Sequence, residues 1–133
     1  MIGILVISHG ALGEALIDAA SHVLGARPRR LRHLAVETSD DPEALAARGR
    51  ALIAELDDGG GVLLIADIYG ATPGNIARRL VDPGRVEALA GASLPMLVRA
   101  LTYCSSPLAV VVDKALSGGR EGLVHMTAET GRG

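Results

Sequence analysis

Apolar residues along the chain fall into short unbroken runs and longer stretches with helical spacing. Residues 2–7 form a run interrupted only by Gly3, which suits a strand covered on both faces. After Gly10, Leu12, Ala15, Leu16, Ala19, Ala20 and Val23 recur as one face of a helix that stops at Gly25. Leu31–Val36 alternates weakly and predicts a second, less central strand. Asp40 or Asp41 can cap a helix that opens at Pro42, turns Leu45, Ile53 and Leu56 inward, and ends at Gly59, Gly60 and Gly61. Val62–Ala66 is the third strand, again apolar without alternation.

Pro73 opens a helix with its body over residues 75–81, and Pro83 with Gly84 makes a turn. Val86–Ala90 reads as the fourth strand, and residues 94–103 as a helix with Pro95 in its first turn. Residues 108–116 carry two signals. Val110, Val111 and Val112 favour strand, whereas the length and the preceding Ser105, Ser106 and Pro107 favour helix, which is the reading taken. Residues 122–126 fit a short final strand. Four strands alternating with helices predict an α/β fold: a mostly parallel sheet of about four strands with helices on both faces, and room for an extra C-terminal edge strand. No repeat or linker interrupts residues 1–133, so a single domain is expected.

Composition narrows the picture. With no Trp or Phe and only Tyr69 and Tyr103, the core must be aliphatic. A net charge of -2 argues against nucleic acid as a partner. Arg27, Arg29, Arg30 and Arg32 read as a solvated corner, and Arg48 and Arg50 as an exposed helix face. Cys104 stands alone, which suits a reducing compartment. The N-terminus lacks the basic start of a secretion signal, and every apolar run is far shorter than the ~20 residues of a membrane span. A cytoplasmic protein is expected.

In parallel sheets of this kind the working site lies beyond the carboxyl ends of the strands, near a topological switch point. That rule selects Ser8, His9 and Gly10 after the first strand, residues 67–72 after the third, and Gly91, Ala92 and Ser93 after the fourth. His9 is the leading candidate, because a neutral imidazole offers a nucleophilic nitrogen near neutral pH. Asp67 stands at the matching edge of the third strand, and a carboxylate on one ring nitrogen leaves the other free to attack. Gly70, Ala71 and Thr72 supply small residues, backbone N–H groups and a hydroxyl at the positive end of the helix that Pro73 opens, as a phosphoryl group requires. The plainer readings are a turn-packing His9, a capping Asp67 and a capping Thr72. His22, His33 and His125 lack ligand spacing with Cys104 or a carboxylate pair, so neither a metal site nor a cofactor is expected. A receiver domain is disfavoured because Ser8 and His9 occupy the place of its metal-binding acidic residues. A serine hydrolase is disfavoured because Ser8 and His9, adjacent on a strand, point to opposite faces.

Three separated segments carry a resemblance. They are residues 3–10, GILVISHG; residues 67–77, DIYGATPGNIA; and residues 90–97, AGASLPML. Together they resemble the enzyme IIA component of the mannose family of the bacterial sugar phosphotransferase system, over nearly the whole chain and least after Gly119. The resemblance implies that His9 accepts a phosphoryl group on Nε2 from the phosphohistidine of HPr. It implies that Asp67 holds the other ring nitrogen, and that Gly70, Ala71 and Thr72 stabilise the phosphoryl oxygens. It further implies transfer to an enzyme IIB partner, which serves membrane sugar permease subunits, and a homodimer that exchanges a C-terminal strand. Two relatives of that reading share the fold: a regulatory module whose phosphorylation state controls a partner, and the phosphotransfer subunit of a dihydroxyacetone kinase.

Overall fold

The two apolar runs without alternation become the centre of the sheet. In the computed structural model, which describes residues 1–127, β1 (Gly3–His9) pairs in parallel with β3 (Val62–Ala66). On the outer sides lie β2 (Leu31–Val36) beside β1 and β4 (Val86–Ala90) beside β3, giving the all-parallel order β2-β1-β3-β4. Five helices connect and cover them: α1 (Leu12–Leu24), α2 (Pro42–Leu56), α3 (Thr72–Leu80), α4 (Leu94–Thr102) and α5 (Leu108–Glu121).

Successive strand residues face opposite layers. Ile4, Val6, Leu63 and Ile65 pack with Ile17 of α1, Leu97 of α4 and Val111 of α5. Leu5, Ile7, Leu64 and Ala66 pack with Leu45 of α2 and Ile76 of α3. Ile4, Leu5, Ile7, Leu63 and Leu64 are fully buried, so truncating any of them to Ala costs about 2–5 kcal/mol. The chain leaves β1 toward β2 on one side and resumes at β3 on the other, so the switch point falls between β1 and β3.

Four details depart from the sequence reading. The inner face of α1 is Gly13, Ile17 and Ala20, while Leu12 and Val23 are exposed. The helix turns its smallest residue toward the sheet because an imidazole lies against it there, as described below. α3 begins at Thr72, ahead of the residue 75 at which its body was placed, and α5 runs past residue 116 to Glu121. Residues 122–126 form no strand. Gly122 leaves α5 against the first turn of α4, where a Cβ would stand 2.6 and 2.7 Å from the Pro95 ring. The segment therefore starts in the helical layer and not at an edge of the sheet. Among the described residues no helix is long and apolar enough to cross a membrane.

Candidate functional site

The register of β1 and β3 brings His9 and Asp67 together. Ile7 pairs with Ala66, and the Asp67 N–H extends the ladder by donating to the Ile7 carbonyl at 3.1 Å. The N–H groups of Gly91 and Ala92 both donate to the Ala66 carbonyl at 3.0 Å, so the loop after β4 anchors the residue before Asp67. Ser93, from the same segment, caps α4 by accepting from the Met96 N–H at 3.3 Å. That third segment thus supports the site without joining it.

Asp67 Oδ2 accepts two hydrogen bonds from one residue: the His9 N–H at 3.0 Å and the His9 ring at Nδ1, 2.8 Å away. A carboxylate only accepts, so Nδ1 donates its proton to it, and in the neutral ring Nε2 then keeps its lone pair. The Asp67 side chain is 7% exposed, whereas that of His9 is 54% exposed. One oxygen of this shielded carboxylate is committed to His9, and Oδ1 is buried with no hydrogen-bond partner among the described residues. Beyond His9, Gly10 adopts a φ of 47°, a left-handed turn that glycine makes without strain. Its N–H donates to the Val36 carbonyl at 3.0 Å, tying the turn to β2.

Thr72 is the first residue of α3, and Ala71, its N-cap, is extended and contributes no side-chain cap. Thr72 is therefore not the capping residue, and it lines a cleft of about 400 Å³ with His9, Gly10, Val36, Glu37 and Asp40. Gly70 reaches the helix through a φ of 84°. At Gly74 a Cβ would stand 2.7 Å from the Ile68 carbonyl oxygen, so the loop folds closely over the start of α3. The structure thus places His9 and Thr72 at one cleft, with Asp67 bonded to the His9 ring and Gly70 and Ala71 immediately before Thr72 in the chain. Ile68 and Tyr69, directly after Asp67, and Leu12, the first residue of α1, are exposed apolar side chains.

Two residues that the sequence reading named without giving them a role stand beside the site. Ser8 Oγ accepts from the Gly13 N–H at 2.7 Å and stands 2.9 Å from His33 Nε2. His33 Nδ1 lies 3.8 Å from Glu14 Oε2. Burial of the ring lowers the His33 pKa below the ordinary imidazole value, with the nearby charges of Glu14 and Asp67 opposing the shift. The sequence signals were a lone hydroxyl in an apolar strand and a histidine two residues from Leu31 on the same face of β2. Among the described residues no three His, Cys, Asp or Glu side chains cluster as a metal site would require.

A parallel sheet covered on both faces, with a half-exposed histidine held by a carboxylate at its switch point, defines an α/β domain that presents an imidazole where such sheets carry their sites. The chain belongs to the family of the PTS system fructose IIA component (EIIA-man), whose model matches residues 3–116. That makes it a IIA-type component of the sugar phosphotransferase system, in agreement with the resemblance seen in its motifs. It is 31% identical over 131 residues to the mannose-specific EIIAB component of the phosphotransferase system of Escherichia coli K12, a match covering 96% of this chain and 40% of that protein. The chain thus spans about 40% of the length of the curated relatives it matches. Phosphotransferase system component EIIA from Streptococcus agalactiae superposes with a TM-score of 0.85 at 20% identity, covering 96% of this chain and 99% of that one. The PTS IIA protein associated with the fucose utilization operon of Streptococcus pneumoniae gives 0.84 at 22%, covering 96% and 95%. At such identities these likenesses establish the fold.

Proposed function

We propose that the chain is a cytoplasmic phosphocarrier in which His9 accepts a phosphoryl group on Nε2 from phospho-HPr and passes it to an enzyme IIB partner for sugar uptake. The observation that carries this reading is the bond from His9 Nδ1 to Asp67 Oδ2 at 2.8 Å, which leaves Nε2 unprotonated on a half-exposed side chain. In the transfer, the Nε2 lone pair attacks phosphorus in line as the bond from phosphorus to the donor imidazole breaks, and the donor nitrogen keeps that electron pair. The accepting ring gains positive charge, and Asp67 stabilises it through the Nδ1 proton. The Thr72 hydroxyl and the uncapped start of α3, with Gly70 and Ala71, hold the phosphoryl oxygens.

The site suits a protein donor. His9 is half-exposed, and Leu12, three residues after it, with Ile68 and Tyr69, directly after Asp67, offers exposed apolar surface for docking. Leu123, Val124 and Met126 are exposed after α5 and would be covered in a homodimer.

The test is incubation with phosphoenolpyruvate, enzyme I and HPr, followed by peptide mass analysis under alkaline conditions. One acid-labile phosphoryl group on the His9 peptide, discharged by an enzyme IIB, is the expected result. Phosphorylation that no enzyme IIB discharges reassigns the protein to regulation. No phosphorylation with a cognate HPr overturns the reading.

A further inference from the structure

The phosphocarrier reading uses one face of β1 and leaves a polar cluster on the other without a role. Ser8 is the one buried polar side chain in the core of the described residues. Its neighbours on the same face of the strand, Ile4 and Val6, are aliphatic, so packing alone does not call for a hydroxyl there. Ser8 Oγ stands within reach of three groups: the Gly13 N–H at 2.7 Å, His33 Nε2 at 2.9 Å and the His9 carbonyl at 3.4 Å. α1 has no capping side chain at Ala11, and Ser8 does that work from the strand. The helix is cut to admit the ring: a Cβ at Gly13 would stand 2.4 and 2.5 Å from His33 Cδ2 and Nε2, and 2.8 Å from Ser8 Oγ. Strand, helix and imidazole meet at one point, one residue away from His9.

We propose that His33 and Ser8 are a positioning pair for the phosphoryl-accepting histidine: His33 holds the Ser8 hydroxyl, Ser8 holds the first turn of α1 and the His9 peptide, and the turn at His9 and Gly10 is fixed between them. This rests on the phosphocarrier reading and adds to it a control on the geometry of Nε2.

The proton inventory makes the pair sensitive to acid. In the neutral tautomer that carries its proton on Nδ1, the nitrogen on the side of Glu14 at 3.8 Å, Nε2 accepts the Ser8 hydroxyl proton while Oγ accepts from Gly13. Burial favours this neutral state. Once His33 is protonated, Nε2–H donates to Ser8 Oγ, and the hydroxyl proton must turn to the His9 carbonyl. A charge change at His33 is thereby delivered to the peptide of His9. The charged groups facing His33 are Glu14 from α1, itself paired with Arg27 at 3.0 Å, and Asp67 from the loop after β3. β1 contributes only the uncharged Ser8, and Arg32 on β2 is exposed on the alternate side of its strand.

The experiment compares wild type with His33→Leu, His33→Gln and Ser8→Ala. Transfer from phospho-HPr is followed by rapid quench between about pH 5.5 and pH 8, on either side of the ordinary imidazole value. Thermal unfolding and amide exchange at Gly13 are measured on the unphosphorylated protein. In His33→Leu and Ser8→Ala the maximal transfer rate falls about tenfold with KM for phospho-HPr unchanged, and the Gly13 amide exchanges faster. His33→Gln keeps a neutral acceptor: it restores the rate above neutral pH and changes the acid limb of the pH profile relative to wild type, since no proton taken up at residue 33 then reaches the Ser8 hydroxyl. Folded His33→Leu and Ser8→Ala variants that transfer at the wild-type rate overturn the proposal, as does a His33→Gln variant that retains the wild-type pH profile. If wild type takes no phosphate, the phosphocarrier reading fails by itself. Gly13 exchange and NMR titration of the His9 ring then still decide the coupling, and if neither changes among the variants the proposal is overturned.

Discussion

Replacing Asp67 with Asn preserves the shape of the side chain and removes its charge. In the native protein Oδ2 accepts from the His9 N–H at 3.0 Å and from Nδ1 at 2.8 Å. The backbone bond is the same before and during transfer, so it cancels from the barrier. The ring bond does not cancel, because the imidazole gains positive charge as Nε2 bonds to phosphorus. A hydrogen bond between charged groups contributes about 1.5–3 kcal/mol, against about 0.5–1.5 for a neutral one. The variant therefore loses about 1–2 kcal/mol of transition-state stabilisation, and a tenfold change in rate corresponds to about 1.4 kcal/mol. Asp67 is mostly shielded, which sustains the effect, while the half-exposed His9 ring lets water moderate it. A slowing of about tenfold is expected in single-turnover transfer from phospho-HPr, with the fold intact by circular dichroism. Asp67→Ala should be slower still, because the ring loses its tether and the His9 N–H its partner, yet it should retain transfer because the nucleophile remains. Wild-type rates in both folded variants would refute the argument and remove Asp67 from the chemistry.

Other consequences are equally direct. Thr72→Val keeps the shape at the start of α3 and deletes the hydroxyl of a residue that lines the cleft; a hydrogen bond to a charged group is worth about 1.5–3 kcal/mol, and rapid-quench transfer should slow accordingly. An unchanged rate would leave Thr72 without a part in the transfer. The His33 pKa is lowered in the folded state by burial, so the unfolded chain binds the proton more readily there. Stability is therefore full above about pH 6.5, the unfolded value, and falls as the pH drops from there toward the folded value; Tm in His33→Gln should lose that slope. Asp57 accepts from the N–H groups of Gly59 and Gly61 at 2.8 and 3.1 Å and pairs with Arg85. Those interactions, the Gly59 bond foremost, hold its carboxyl below the ordinary value. Asp57→Ala should destabilise by about 1 kcal/mol in urea titration with transfer unaffected, since this turn lies away from the cleft.

The sequence disclosed the centre of the molecule more readily than its seams. β1 and β3 are covered on both faces, so their residues are apolar without alternation and stand out in a single chain. Because such strands work at their carboxyl ends, the pairing of His9 with Asp67 followed from the order of elements. α5 was harder, since Val110, Val111 and Val112 favour strand and the helix reading ended at residue 116, short of Gly118 and Gly119. They lie inside the helix because α4 approaches closely: a Cβ at Gly118 would meet Arg99 Cβ at 2.8 Å and the Pro95 carbonyl oxygen at 3.1 Å. The inner face of α1 was displaced for a related reason. Helical spacing weights large apolar residues, and here the contact is centred on Gly13. His33 escaped notice because its significance depends on how closely α1 approaches β1, which only the packing of the two elements reveals.

The most direct test of the account is the site of phosphorylation on the imidazole, read by nitrogen-15 NMR of histidine-labelled protein after incubation with phosphoenolpyruvate, enzyme I and HPr. The account requires one modified ring, that of His9, with phosphorus on Nε2 and the Nδ1 proton still directed to Asp67. Phosphorus on Nδ1 of His9, or on His22, His33 or His125, would contradict it.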